Sequence, residues 1–396
     1  MDRKMVWTRL VVVAAVCMGL VGISAALQDK PDAKAEETKP VKLDVPYVPT
    51  AQEAVDAMLK LGKVTADDFV IDLGCGDGRI VVTAAKTFKA KGYGVDLDPQ
   101  RIKESKANAE KAGVTDRVKF EVGDIFKADI RQASVVTLFL LDSVNLQLRP
   151  KLFAQLKPGT RVVSNTFHMA DWKPDQDLEH EKAYSGKIHL WIMPAPVGGA
   201  WSWKTKFAEA EVPCALTLDQ EFQVIRGTMK VGEAAEAPIA AASLKGKEIR
   251  FTATTRMGDK DVKISCEGIA DGDTIKGTQK WEGGPAAGTP WTATRQAVDV
   301  AGKWQIDVPG NDGLKGTLNV QRKDDGLHAA YLREGKEEVA VPAFYAWGTS
   351  VRFEIPGDAA GTVFRGSLKA DAGGGTLSGG QTDAGTAKWT AKRAAK

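Results

Sequence analysis

Histidine and cysteine are scarce in this chain, with four of each among 396 residues. His168, His180, His189 and His328 have no metal-ligand spacing, and there is no C-x-x-C pair. No metal site is therefore expected. Cys17, Cys75, Cys214 and Cys266 are too widely spaced for a disulfide framework, although a Cys214–Cys266 pairing stays open. Strong net charge is also missing. The formal value is +3, so no nucleic-acid partner is indicated. The apolar fraction of 43% and charged fraction of 27% are those of an ordinary folded protein, but the length exceeds one compact core.

Apart from one segment, long apolar runs are absent too. Asp2, Arg3, Lys4 and Arg9 precede an apolar stretch from Leu10 to Ala26, which closes on the small residues Ser24, Ala25 and Ala26. That order is expected of an export signal cleaved after Ala25, covering residues 1–25. An uncleaved inner-membrane anchor at residues 10–26 is the alternative. Either reading sends the body out of the cytoplasm, to the periplasm or beyond. Cys17 sits within the run after Val16, which does not suit a lipoprotein. Residues 26–44, rich in Lys, Glu, Asp, Ala and Pro, read as a flexible linker.

From residue 45 to 196, strand and helix periods alternate. "TAQEAVDAMLKLG" is an amphipathic helix with Thr50 as its expected N-cap. "DFVIDL", "GYGVDLD", "VKFEVGD", "ASVVTLFLL", "TRVVSNTF" and "KIHLWIMP" read as strands, separated by helices over 79–90, 99–111 and 144–156. The fourth of these strands is apolar on both faces and is expected at the sheet centre. This pattern predicts an α/β doubly wound, Rossmann-like domain with a mainly parallel sheet. Beyond Pro196 glycine becomes frequent and short strands replace helices. "GAW" at Gly199–Trp201 returns as "GKW" at Gly302–Trp304, and "WTATR" at Trp291–Arg295 returns as "WTAKR" at Trp389–Arg393. The repeat offset, 98 to 103 residues, implies two all-β modules at 199–296 and 301–394, each a barrel or sandwich. Trp201, Trp203, Trp291, Trp304, Trp347 and Trp389 are read as module core, with carbohydrate platforms as the alternative.

The chemistry concentrates in "VIDLGCGDGRIVV", Val70–Val82, where a strand passes through a glycine turn into a helix. Gly74, Gly76 and Gly78 are spaced G-x-G-x-G, and Arg79 stands where a nicotinamide site needs its third glycine. The G-K-[ST] of a P-loop is absent. Asp72 and Asp77 would repel a pyrophosphate and attract a cation. S-adenosylmethionine, with a sulfonium and an ammonium and no phosphate, meets that requirement. Asp96, about twenty residues beyond the glycines, ends the second strand where a carboxylate accepts from ribose hydroxyls. Asp124 ends the third strand, placed for an adenine amino group, and Leu97 and Ile125 are expected to sandwich the ring. The acceptor site is expected beyond the fourth strand, with Asp142 and Asn145 as candidates. Both also have bland readings as helix-start residues. His168 and Trp172 are read as a structural histidine and a core tryptophan, with cleft lining as the alternative.

"VIDLGCGDGR", "GVDLD" and "VGDIF" resemble the successive motifs of class I S-adenosylmethionine-dependent methyltransferases. "YVPT" at Tyr47–Thr50, "VVTLFLLDSVNLQLRPKLFAQLKPGTRVVS" at Val135–Ser164 and "ADW" before Pro174 narrow the resemblance. They are similar to bacterial relatives of the mitochondrial protein-lysine N-methyltransferases that act on adenine nucleotide translocase and the ATP synthase c-ring protein. The resemblance covers residues 45–195. It implies in-line methyl transfer to a protein lysine or other amine, and a lid at Tyr47 and Val48. Asp142 departs from the family, where proline is common. Two further readings stay open: a small-molecule methyltransferase, and a non-catalytic envelope-binding protein whose β modules contact surface polymer or protein.

Overall fold

A computed structural model describes residues 47–207, 210–283, 288–295, 299–309, 314–324, 326–333, 335–355, 362–369, 376–381 and 389–394. The expected export signal and linker lie outside the described residues. No helix among the described residues is long and apolar enough to cross a membrane.

The N-terminal part runs α1 (Gln52–Leu61), β1 (Phe69–Leu73), α2 (Arg79–Phe88), β2 (Lys91–Asp96), α3 (Pro99–Ala112), β3 (Val118–Val122), β4 (Val135–Leu138), α4 (Asp142–Gln155), β5 (Arg161–Asn165), β6 (Gln176–Glu179) and β7 (Lys187–Ile192). The sheet order is β3-β2-β1-β4-β5-β7-β6. Its first five strands are parallel, and β7 is antiparallel to both β5 and β6. β4, buried throughout, is the central strand, as its apolar run predicts. Strand order reverses between β1 and β4, so a cleft opens beyond their carboxyl ends.

Local signals end most of these helices where they were expected. Asp98 caps α3 by accepting from the Gln100 amide at 2.8 Å, Pro99 opens it, and Gly113 closes it in the left-handed conformation. Thr50 does not cap α1. The N-cap is Ala51, and the Thr50 carbonyl instead accepts from Arg79 at 2.7 Å.

The two sheet faces are covered differently. On one, Val55 and Met58 of α1 and Ile80 and Ala84 of α2 pack on Val70, Val135 and Val163. On the other, Leu148 and Leu152 of α4 pack on Ile71, Val136 and Leu138, in one cluster with Phe222, Tyr345 and Trp347 from the C-terminal half. The Rossmann-like parallel sheet is present. Helices lie on both faces, and on the α4 side module aromatics complete the cover.

The first module is a closed barrel of β8 (Gly199–Phe207), β9 (Ala210–Glu221), β10 (Val224–Val231), β11 (Ala237–Lys245), β12 (Glu248–Met257), β13 (Lys260–Asp271), β14 (Thr274–Trp281) and β15 (Thr289–Arg295). The second contains β16 (Gly302–Asp307), β17 (Gly316–Lys323), β18 (Gly326–Arg333), β19 (Val339–Val341), β20 (Phe344–Trp347), β21 (Ser350–Ile355), β22 (Thr362–Lys369), β23 (Thr376–Gln381) and β24 (Trp389–Arg393). It forms one nine-stranded sheet, β19-β18-β17-β16-β24-β23-β22-β21-β20. In the barrel, β10 and β11 close the seam through Thr228↔Pro238 and Met229↔Ala237. In the second module β18 pairs with the extra strand β19, and the sheet ends on β20.

The repeat persists at atomic detail. The Trp201 and Trp304 indoles donate to Val197 and Val300 carbonyls at 2.8 and 2.9 Å. Arg295 lies 4.6 Å over the Trp201 ring, and Arg393 lies 4.6 Å over that of Trp304. All six tryptophans considered as platforms are buried, so they serve as core. Cys214 and Cys266 are buried free thiols of the barrel core, not a disulfide. Burial pushes both up to about 12.

Candidate active site

A cleft of about 1200 Å³, measured to its open mouth, lies beyond β1, β2 and β4. Its floor is the glycine turn. Gly74, Gly76 and Gly78 have φ of +80°, +52° and +76°, a region in which side chains are strained. A Cβ on Gly76 would stand 2.5 Å from the Tyr47 ring, and one on Gly78 would stand 2.6 Å from the Ser105 Cβ. The turn is anchored by the amides of Gly74 and Cys75, which donate to the Val95 carbonyl at 2.9 and 3.0 Å.

Seven of the expected cofactor residues face this space together: Asp72, Gly74, Gly76, Asp77, Asp96, Leu97 and Ile125. Asp72 is buried and accepts from the Thr137 hydroxyl at 2.7 Å. Burial above all, with Asp96 and Asp77 nearby, pushes its carboxyl up to about 7 despite that bond. The Asp96 carboxylate accepts from the Gly76 and Asp98 amides, each at 2.9 Å, which fixes its orientation at the cleft wall.

Asp77 lies in the lining paired with Arg79, through bonds of 2.9, 3.2 and 2.6 Å. Burial opposes ionisation of Asp77, yet the guanidinium outweighs it and holds the carboxyl below the usual range. The charge credited to a cationic ligand is thus matched within the turn. Asp124 is not among the lining residues. It accepts from the Phe126 amide at 2.8 Å and stabilises its own turn. Gly78 does not line the cleft either, and acts through the backbone of the turn.

On the acceptor side, neither Asp142 nor Asn145 lines the cleft. Asp142 is exposed and accepts from the His168 amide at 2.6 Å, tying α4 to the segment after β5. Asn145 is fully buried and donates to the His168 carbonyl at 3.3 Å. Both are positioning residues for that segment. Its backbone is constrained: Thr166 has φ of +75° and Ala170 +52°. The His168 ring packs 4.0 Å from that of His189, and Trp172 is core, so neither lines the cleft. Tyr47 and Val48 do line it, exposed at its mouth, with the Arg101 guanidinium 4.4 Å over the Tyr47 ring.

Sequence reasoning missed Phe139, Phe167 and Tyr184, which line the far wall. The first two stand just past the carboxyl ends of β4 and β5, where the strand-end rule applied to the aspartates would have found them.

The residues present fit S-adenosylmethionine. The floor admits close backbone approach, Asp96 is oriented as an acceptor, and Asp72 lies in a carboxylate-rich recess whose charge a cation would compensate. A parallel sheet with this turn at its switch point defines the Rossmann-like methyltransferases. Residues 72–176 match the family described as the ANTKMT methyltransferase domain. The chain is 52% identical over 151 residues to a protein-lysine N-methyltransferase of Saccharolobus islandicus, covering 38% of this chain and 94% of that protein. It is 36% identical over 135 residues to the mouse adenine nucleotide translocase lysine N-methyltransferase, covering 34% of this chain and 58% of that protein. It therefore spans little more than half the length of this mouse relative. A solved structure of an RNA methyltransferase from Salinibacter ruber, in complex with S-adenosyl-L-homocysteine, is 50% identical, covers 37% of this chain and 93% of that chain, and has a TM-score of 0.36. The chain belongs to the ANTKMT-type methyltransferases and is an S-adenosylmethionine-dependent enzyme.

Proposed function

We propose that this enzyme N-methylates a lysine side chain of a protein, the acceptor entering over the carboxyl ends of β4 and β5. The observation that carries this reading is the division of the cleft. The lining carboxylates Asp72, Asp77, Asp96 and Asp98 all belong to the β1–β2 side, whereas Phe139, Leu140, Leu141 and Val144 make the β4 side apolar. S-adenosylmethionine supplies the electrophilic methyl group when bound. Asp96 would hold its ribose, Leu97 and Ile125 its adenine ring, and the backbone of Gly74 and Gly76 its amino-acid end. An amine must be neutral to attack. The apolar β4 side disfavours the charged form, lowering the pKa of an entering lysine and aligning it. The family relationship supports the same acceptor class.

The test is a methylation assay on lysine-containing peptides, read by mass spectrometry as the gain of methyl groups at lysine. Modification of other side chains alone would sink the lysine reading. Calorimetric titration with S-adenosylmethionine checks the donor side: Asp96→Ala should remove most of the affinity, and unchanged affinity would refute the ribose assignment. We further propose that the enzyme is exported, on the strength of the basic start, the apolar run and the small residues before Leu27. N-terminal sequencing of the protein recovered from the cell envelope should begin at Ala26. An intact Met1 in the cytoplasmic fraction would refute export.

A further inference from the structure

Three aromatic rings meet on the far wall of the cleft. Phe139 follows β4, Phe167 follows β5, and Tyr184 sits in the turn between β6 and β7. Their centroids are 5.9 Å apart for Phe139–Phe167, 5.8 Å for Phe139–Tyr184 and 6.5 Å for Phe167–Tyr184. None of the pairs is edge-to-face, unlike the buried Phe153–Tyr345 pair at 82°. Phe167 and Tyr184 are stacked at 27°, and Phe139 is tilted against them at 32° and 58°. Tyr184, a large aromatic side chain, is 69% exposed. Core packing does not account for that placement.

A triangle of these dimensions leaves a cation above its centre within the roughly 6 Å reach of all three rings. The lining residues of this wall include no carboxylate. A bare ammonium, compact and strongly hydrated, would find no ion-pair partner there. A methylated ammonium sheds less hydration and presents methyl groups to the ring faces. We propose that Phe139, Phe167 and Tyr184 form a subsite for the methylated ammonium head of the acceptor side chain, recognised through the ring quadrupoles. This rests on the amine-acceptor reading above.

The experiment uses the full chain saturated with S-adenosylhomocysteine. It is titrated calorimetrically with Nα-acetyl-trimethyllysine amide, with the isosteric neutral compound carrying a tert-butyl group, and with Nα-acetyl-lysine amide. Trimethyllysine should bind about fivefold or more tightly than either of the others. Tyr184→Ala and Phe167→Leu should each weaken it about threefold to tenfold. Tyr184 is exposed, so its variant folds, and unchanged S-adenosylhomocysteine affinity verifies this. Equal affinity for the charged and neutral probes overturns the proposal, as does a Tyr184→Ala variant that binds trimethyllysine normally. The two readings fail separately. Ring-dependent binding of trimethyllysine with no lysine methylated in any peptide leaves the subsite standing and removes the function. Lysine methylation with a KM indifferent to Tyr184→Ala does the reverse.

Discussion

Arg352, in the C-terminal sheet, donates to Oδ2 of Asp171 at 2.5 Å, across 181 residues of sequence. Arg149 of α4 takes Oδ1 of the same carboxylate, also at 2.5 Å. Both guanidiniums are almost completely buried. Arg149 also donates to the Tyr345 hydroxyl at 2.9 Å, and Arg365 donates to Glu221 of the barrel at 2.6 Å. The methyltransferase domain and both modules therefore share one charge cluster, close to the segment that carries Phe167.

Asp171→Ala would leave Arg149 and Arg352 buried without their shared acid, a loss of about 3–5 kcal/mol. Urea unfolding should register it as a lower midpoint. Burial raises the Asp171 carboxyl, but the two arginines outweigh this and leave it below the usual range. A depressed folded-state value means the contribution is present above the ordinary carboxylate range and is lost as pH falls through the lower value. The gap between wild type and Asp171→Ala should accordingly narrow in acid.

Asp72 carries the opposite sign. Its value is raised to about 7, so its contribution to the ligand-free fold is present below the ordinary carboxylate range and is lost as pH rises through about 7. Asp72→Asn should raise the melting temperature of the ligand-free enzyme at pH about 8 and change little near pH about 4. Affinity for the cationic cofactor should behave in reverse, increasing through about pH 7 in wild type and not in Asp72→Asn. Calorimetry across that range measures both enzymes.

Gly76→Ala combines a left-handed strain of about 1–2 kcal/mol with a collision at the Tyr47 ring. Cofactor affinity should fall about tenfold. Adding Tyr47→Ala removes the collision and should recover part of the loss. A double variant no better than Gly76→Ala would show that Tyr47 is not the obstacle.

Trp304→Ala empties a fully buried position in the second module and should cost about 3–5 kcal/mol. A platform residue would instead leave stability intact. Thermal unfolding separates the two.

Much of the first domain was legible because its signals are local. Period, proline and glycine placed α3 within a residue of its observed end, and the G-x-G-x-G spacing marked the turn between β1 and α2. β6 was missed because "QDLE" lies at the sheet edge, almost wholly exposed, and has no apolar alternation to read. The acids divided by partner. Asp72, Asp77 and Asp96 line the cleft, Asp77 paired with Arg79, while Asp124 and Asp142 lie outside it and accept from the Phe126 and His168 amides. All five look alike as letters, since a carboxylate at a strand or helix end suits a ligand or a nearby N–H equally well.

What the residues determined by themselves was the alternation of strand and helix, the shape of the glycine turn and the repeat of the modules, each a matter of neighbours along the chain. Only tertiary structure decided which acids line the cleft, that one repeat closes into a barrel while the described strands of its copy form a nine-stranded sheet, and that Arg352 reaches Asp171. Those outcomes depend on groups far apart in sequence competing for the same partner. Hydrophobic period carries no information about which of them arrives.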